Sequence, residues 1–130
     1  QITDEQKEQG QPLATVVEQL LKALAGKVML VHFARIARQF LRQACLELYG
    51  FMPDFPMIDT LVIAKRQLDK RDVAYDPSEL RLSNLRHQFE LPAHHGHDAL
   101  NDAIATAELL LAQTVNRPHS DKLLLKDIIL

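Results

Sequence analysis

A single cysteine, Cys45, excludes an intrachain disulfide and a zinc site built on cysteines. It fits a reducing, cytoplasmic setting in which the thiol is a small core residue. No apolar run approaches the roughly 20 residues needed to cross a bilayer, so no membrane partner is expected. The opening QITDEQKEQGQP is polar and lacks the basic-then-apolar order of a signal peptide. An excess of charge of one sign is also missing. With 15 Lys and Arg against 17 Asp and Glu, the formal net charge is -2, and any contact with nucleic acid must therefore be local. There is no internal repeat and no second domain. The chain starts at Gln1 rather than Met, as a fragment of a longer protein would. What is present, 130 residues that are 47% hydrophobic and 25% charged, suits one soluble domain with a modest core.

Gln1 to Gln11 reads as a polar lead-in in which Ile2, Thr3 and Asp4 can form a short capped turn. Pro12 then takes a first-turn position, and Leu13, Val16, Val17, Leu20, Leu21 and Leu24 trace the stripe of a helix that stops at Gly26. Val28 to Val31 is a continuous apolar run that predicts a strand buried on both faces. From Ala34 the period returns to helix, with Ile36, Phe40, Leu41, Ala44 and Leu48 inward and Gly50 as terminator. Helix, strand and helix in such short order imply an α/β layer. After a two-proline loop, Met57 and Ile58 form a second short strand, and Asp59 or Thr60 caps a helix through Leu61, Ile63, Ala64 and Leu68. Asp69 to Asp76 is a solvated, charged turn. Ser78 is placed to cap a further helix with Leu82, Leu85 and Phe89 inward. The end of the chain runs through Asn116 and Pro118 to KLLLKDIIL.

The stretch with the most chemistry is Ala93 to Gln113, AHHGHDALNDAIATAELLLAQ. A loop of His and Gly runs into a helix whose apolar residues Leu100, Ala103, Ile104, Ala107, Leu110 and Leu111 share one face. With His97 in the loop and Asp102 in the first turn, an imidazole and a carboxylate converge at one helix end, pairing a proton acceptor with a metal ligand. The plainer reading is a helix with an N-terminal acid and solvated histidines. Asp98 suits a charge opposing the positive end of the helix dipole. His94, His95 and His97 could in principle hold zinc, but adjacent residues are awkward ligands for one tetrahedron.

The pattern H-x-A-x-x-D, spelled here by His97, Ala99 and Asp102 before an Ala- and Leu-rich helix, resembles the third motif of the DnaQ-like 3'-5' exonucleases of the DEDDh type. The resemblance extends upstream. That family's second motif reads V-x-H-N-A-x-F-D-x-x-F-L at a strand end, and this chain has Val31, His32, Phe33, Ala34, Arg35, Ile36, Ala37, Arg38, Gln39, Phe40 and Leu41. MIDTL from Met57 to Leu61, the leucine pattern from Leu82 to Leu91, and Ile2 and Thr3 before the first helix are also similar to the family. The similarity covers roughly residues 1 to 115 as a partial exonuclease domain and leaves 116 to 130 as a C-terminal tail. It implies an α/β, ribonuclease H-like fold of which this fragment is mainly helical with two short strands, the N-terminal strands being absent.

Two departures bear on the chemistry. Ala37 stands where the second motif supplies a metal-binding acid, and a methyl group cannot coordinate a cation. The first motif, D-x-E, would lie upstream of Gln1. Of the family's four acidic positions only Asp102 is present.

The resemblance implies two divalent cations, Mg2+ or Mn2+, across the scissile phosphate, with Asp102 as a metal ligand. His97 would be the general base, and an ordinary imidazole pKa of ~6.5 suits that role near neutrality. His32 would line the substrate groove, or else serve as a hydrogen-bonded strand-end residue. The implied activity is hydrolysis at the 3' end of DNA, most simply single-stranded, to release nucleoside monophosphates. The chain alone is expected to be inactive. The alternative is a degenerate domain that keeps the fold for binding or assembly. His97, Asp102 and His32 are expected in one cleft, and the open edge of Val28 to Val31 is expected to recruit a strand, in the simplest case from a second copy in a homo-oligomer.

Overall fold

Two short parallel strands sit at the centre of the structure, a computed structural model that describes residues 12–96, 98–115 and 124–130. β1 (Met29–Val31) pairs with β2 (Met57–Asp59) in the register Met29 to Met57, Leu30 to Ile58 and Val31 to Asp59. β2 is buried throughout, whereas β1 is only half-buried, short of the full burial expected from its apolar run. The cause is topological. β2 lies between β1 and the C-terminal segment, while among the described residues no strand pairs with the far edge of β1.

Helices surround this pair, so the chain is mainly helical, as the resemblance implied. α1 (Leu13–Leu24) gives way to Gly26, whose φ of +71° carries the chain round towards β1. α2 (Ala34–Tyr49) ends at Gly50 in the left-handed conformation, with the Gly50 N–H bonded to the Leu46 carbonyl, which is the glycine stop expected. Val17 of α1 packs with Ala44 and Cys45 of α2, and Cys45 is fully buried as a small core residue. The inward face of α2 runs through Ala34, Leu41, Ala44 and Cys45. Ile36 and Phe40, expected inside, are exposed, Phe40 by 66%. At about 100° per residue they lie well round the helix from Leu41, on a side that no described element covers.

α3 (Thr60–Lys70) starts directly from β2 with Asp59 as its cap. The charged turn that follows leads to a 3-10 turn at Pro77–Leu80. Its cap is Asp76 rather than Ser78: the Asp76 carboxylate accepts from the Ser78 N–H, and the Glu79 side chain accepts from the Asp76 N–H. Arg81 is extended, with ψ at 143°, so α4 (Leu82–Gln88) is a separate helix. Leu80, Leu85, Ala64 and Leu109 join the 3-10 turn, α4 and α3 to α5 (Ala99–Val115) in one apolar cluster.

α5 is rotated away from the expected face. Ala105, Thr106, Leu109 and Gln113 are buried, while Leu100, Ile104 and Leu111 are exposed, Leu100 by 69%. Long-range polar bonds set the rotation: Gln113 Nε2 donates to the Thr60 carbonyl at 3.0 Å, and Arg86 Nη1 donates to the Ala105 carbonyl at 2.9 Å. Anchors of that kind outweigh a stripe of apolar side chains that finds no partner.

The C-terminal residues 124–130 return to the sheet. Beyond α6 (Leu125–Ile128), Ile129 forms an antiparallel bridge to Ile58, and the Leu130 N–H bonds to the Met57 carbonyl at 2.9 Å. Ile128 is buried with Ile58 and Ile63, and Arg66 Nη1 donates to the Asp127 carbonyl. Among the described residues no helix is long and apolar enough to cross a membrane.

Candidate functional site

Parallel pairing places the C-terminal ends of β1 and β2 side by side, and the residues that follow each strand meet there. Asp59 is buried, and its carboxylate serves both strand ends. Oδ1 accepts from the Phe33 and Leu61 N–H groups, each at 2.9 Å, and Oδ2 accepts from the Ala34 N–H at 2.7 Å. One side chain thus caps α2 and α3 together, since these donors are ones that a helix start leaves without intrahelical partners. Its grip holds Phe33 in the left-handed region at φ +74° and ψ 71°, a conformation that costs a non-glycine residue about 1 kcal/mol or more.

His32 sits beside this cap with both ring nitrogens engaged. Nε2 is 2.8 Å from the Leu80 carbonyl, which can only accept, so Nε2 carries a proton. Nδ1 is 2.7 Å from Thr60 Oγ1 and, in the neutral ring, accepts from that hydroxyl. Burial lowers the His32 pKa, against weaker raising effects from the Leu80 carbonyl and from Asp59, and favours that neutral form. His32 therefore bridges β1, α3 and the 3-10 turn while its ring borders open space.

The opposite wall comes from the start of α5. Asp98 caps the helix: its Oδ1 accepts from the Leu100 and Asn101 N–H groups at 3.0 and 3.2 Å. One turn on, Asp102 has a side chain 43% exposed, and its Oδ1 lies 3.2 Å from Nε2 of His94, a side chain only 14% exposed. His32, Phe33, Ala37, His94 and Asp102 all line one cleft of about 1330 Å3, with Lys65 and Arg81 also on its walls. Two of the three residues singled out from sequence, His32 and Asp102, thus share a cleft. The third, His97, lies outside the described residues. His94 is the partner that sequence reasoning missed. It entered only as part of a zinc alternative, and nothing in its spacing from Asp102, eight positions along and across a loop, distinguished it from His95.

The donor set can be compared with the two cations the resemblance implies. Asp102 is the one acid among the described cleft residues, and Ala37 presents its methyl group to the same space. Asp59 is close in the fold, but its two oxygens are already committed to three backbone donors. Among the described residues no group of three or more His, Cys, Asp or Glu is placed to hold a metal ion. The described residues therefore do not form a two-cation site.

Comparison with known proteins agrees with this architecture. A family model described as Exonuclease matches residues 1–110. The chain is 31% identical over 112 residues to the PolC-type DNA polymerase III of Thermotoga petrophila and, to the same extent, to that of Thermotoga maritima. In each case the match takes in 85% of this chain and 8% of the relative, so the chain spans a small part of the curated proteins it matches. No solved structure matches it.

Proposed function

The chain belongs to the exonuclease family, and from that premise we propose that its cleft receives the 3' end of single-stranded DNA as part of a 3'-5' exonuclease domain. The observation that carries this reading is the cleft itself, with His32, His94 and Asp102 gathered beyond the carboxyl ends of parallel strands, where α/β folds bind ligands. DNA is preferred to RNA because the relatives are named as DNA polymerases. In this reading His97 is the general base, Asp102 the surviving cation ligand, and His32 a groove residue kept neutral by its burial and oriented by Thr60 and Leu80. Residues 1 to 115 form the exonuclease part, and of the segment 116 to 130 that follows it, residues 124–130 dock back on β2. The setting is cytoplasmic, where Cys45 stays reduced.

With one carboxylate among the described cleft residues and Ala37 in the place of a second, the chain by itself binds a 3' end without hydrolysing it. Incubated with 5'-labelled single-stranded DNA and Mg2+ or Mn2+, it is expected to leave the strand at full length. Stepwise 3' shortening that co-purifies with the chain and disappears in His97→Ala would overturn the inactivity. A second reading, a degenerate module retained for binding or assembly, is favoured by Ala37. It predicts that the full natural protein is inactive too, which the same assay on that protein decides.

The far edge of β1 bears on partners. Its backbone groups meet no strand among the described residues, and the exposed Ile36 and Phe40 lie on the helix that follows it. Such an edge favours pairing with a second copy. Light scattering is expected to show self-association at micromolar concentration, together with slow amide exchange at Leu30, whose N–H points away from β2. A monomer with fast exchange there refutes it.

A further inference from the structure

α2 carries a second surface that the cleft does not use. Arg35, Arg38 and Arg42 follow one another at intervals of three and four residues, which sets them in one row along the helix. With Asp54 and Phe55 they line a separate groove of about 580 Å3. All three arginines are exposed, and among the described residues none forms a salt bridge. Arg38 Nε makes only a weak contact to Met57 Sδ, at 3.2 Å. Among the described residues the groove therefore holds three guanidinium groups against the single carboxylate of Asp54. In a chain of net charge -2 this is a local concentration of positive charge that folding does not require.

The chemistry of the row selects its ligand. A guanidinium is a planar fork of donors that matches the oxygens of a phosphate, and a row of them suits a chain of phosphates better than one isolated anion. Phe55 adds a half-buried ring at the groove, a surface on which a base can stack. The groove also shares its helix with the cleft. Ala37 lines the cleft, while its sequence neighbours Arg35 and Arg38 line the groove. A strand whose end lies in the cleft can thus pass over the first turns of α2 and meet the arginines.

We propose that Arg35, Arg38 and Arg42 form a backbone track for single-stranded nucleic acid, binding phosphates upstream of the terminus held in the cleft. This proposal deepens the function given above and rests on the cleft holding the 3' end. The track supplies affinity without base recognition and takes no part in hydrolysis.

The test uses a fluorescent oligothymidylate with a photoreactive 3' terminus, the chain, and the triple variant R35Q/R38Q/R42Q. The arginines are exposed, so the variant is expected to unfold at the same denaturant concentration. Anisotropy is expected to show at least a tenfold loss of affinity at low salt. The slope of log affinity against log salt should fall in magnitude by about 2, from ~0.7 per phosphate contact on a single strand over three contacts. At saturation the 3' crosslink should stay on cleft residues in both proteins. An unchanged slope with the crosslink in place overturns the track and leaves the cleft reading intact. A reduced slope with no cleft crosslink overturns the cleft reading and with it the track as a path to a held terminus, leaving the arginines as a phosphate-binding row alone. A parent chain that does not bind the strand at low salt overturns both. Displacement of the strand by polyglutamate at equal charge concentration, as effective as unlabelled strand, would assign the row to an acidic protein and overturn the proposal.

Discussion

Replacing Asp59 by alanine is expected to remove about 4 kcal/mol of folding free energy, the largest loss of any single substitution considered. Its carboxylate accepts three backbone N–H groups from two helix starts, at 2.7 to 2.9 Å, in a buried setting. A bond from a backbone donor to a charged acceptor contributes roughly 1.5–3 kcal/mol, and a buried donor left without a partner costs about as much again. Those terms overlap, and the net loss is smaller than their sum. Alanine leaves the Ala34 N–H buried with nothing to bond. Against a stability of about 5–15 kcal/mol for a domain of this size, the variant sits near the edge of folding. Urea unfolding measures the loss, and a fall below about 1 kcal/mol at an unchanged m-value would show that water or a shift of the backbone replaces the carboxylate. Phe33→Asn is the companion variant and should move the midpoint the other way. Asn tolerates the left-handed conformation that Asp59 imposes at φ +74°, and relief of that strain is worth about 0.5–1 kcal/mol.

Arg86→Leu is expected to cost about 3 kcal/mol and also to loosen the cleft. The Arg86 side chain is only 4% exposed. Nη1 donates to the Ala105 carbonyl at 2.9 Å and lies 3.4 Å from Glu108 Oε1, while Nη2 donates to the Pro92 carbonyl at 2.8 Å. One guanidinium thus ties α4 to α5 and to the start of the loop that carries His94. Leucine fills much of the volume and satisfies none of these acceptors. The Glu108 contact adds little, because that carboxylate is half exposed and screened. Arg86→Lys should recover less than half of the loss, since an ammonium cannot reach acceptors on two elements in a fixed fork. Hydrogen exchange separates the two effects: in Arg86→Leu the amides from Ala93 to Gly96 should exchange faster than the global destabilisation explains. Equal acceleration across the chain would mean that Arg86 stabilises the fold without positioning the histidine loop.

The parts of this protein legible in sequence are those decided within a few residues. Val28 to Val31 and Met57 to Ile58 read as strands because a short apolar run has few other places in a folded chain. Gly50 reads as a helix stop because it tolerates the left-handed conformation, and Asp59 as a cap because its side chain reaches the Leu61 N–H two residues on. The family was legible as well, through His32 at a strand end and through His97 and Asp102 before a helix. Ala37 could be read as a missing acid from its position alone.

Tertiary structure decided what depends on partners far apart in the chain. Periodicity identified α2 and α5 as helices but misjudged which sides face inward, because rotation about a helix axis is set by what the helix meets. Gln113 meets Thr60, 53 positions away, and Arg86 meets Ala105, 19 away. Bonds between buried polar groups are costly to break, whereas an exposed leucine forgoes only its burial, so the anchors prevail over the apolar stripe. The same holds for His32, whose neutral form follows from burial and whose tautomer follows from a carbonyl 48 residues distant, and for the pairing of His94 with Asp102 across a loop. Sequence by itself determined most of the elements and the family. Only the folded chain determined which faces turn inward, that His94 meets Asp102, and that the last residues close the outer edge of β2, since each of these is a contact between segments that local pattern does not relate.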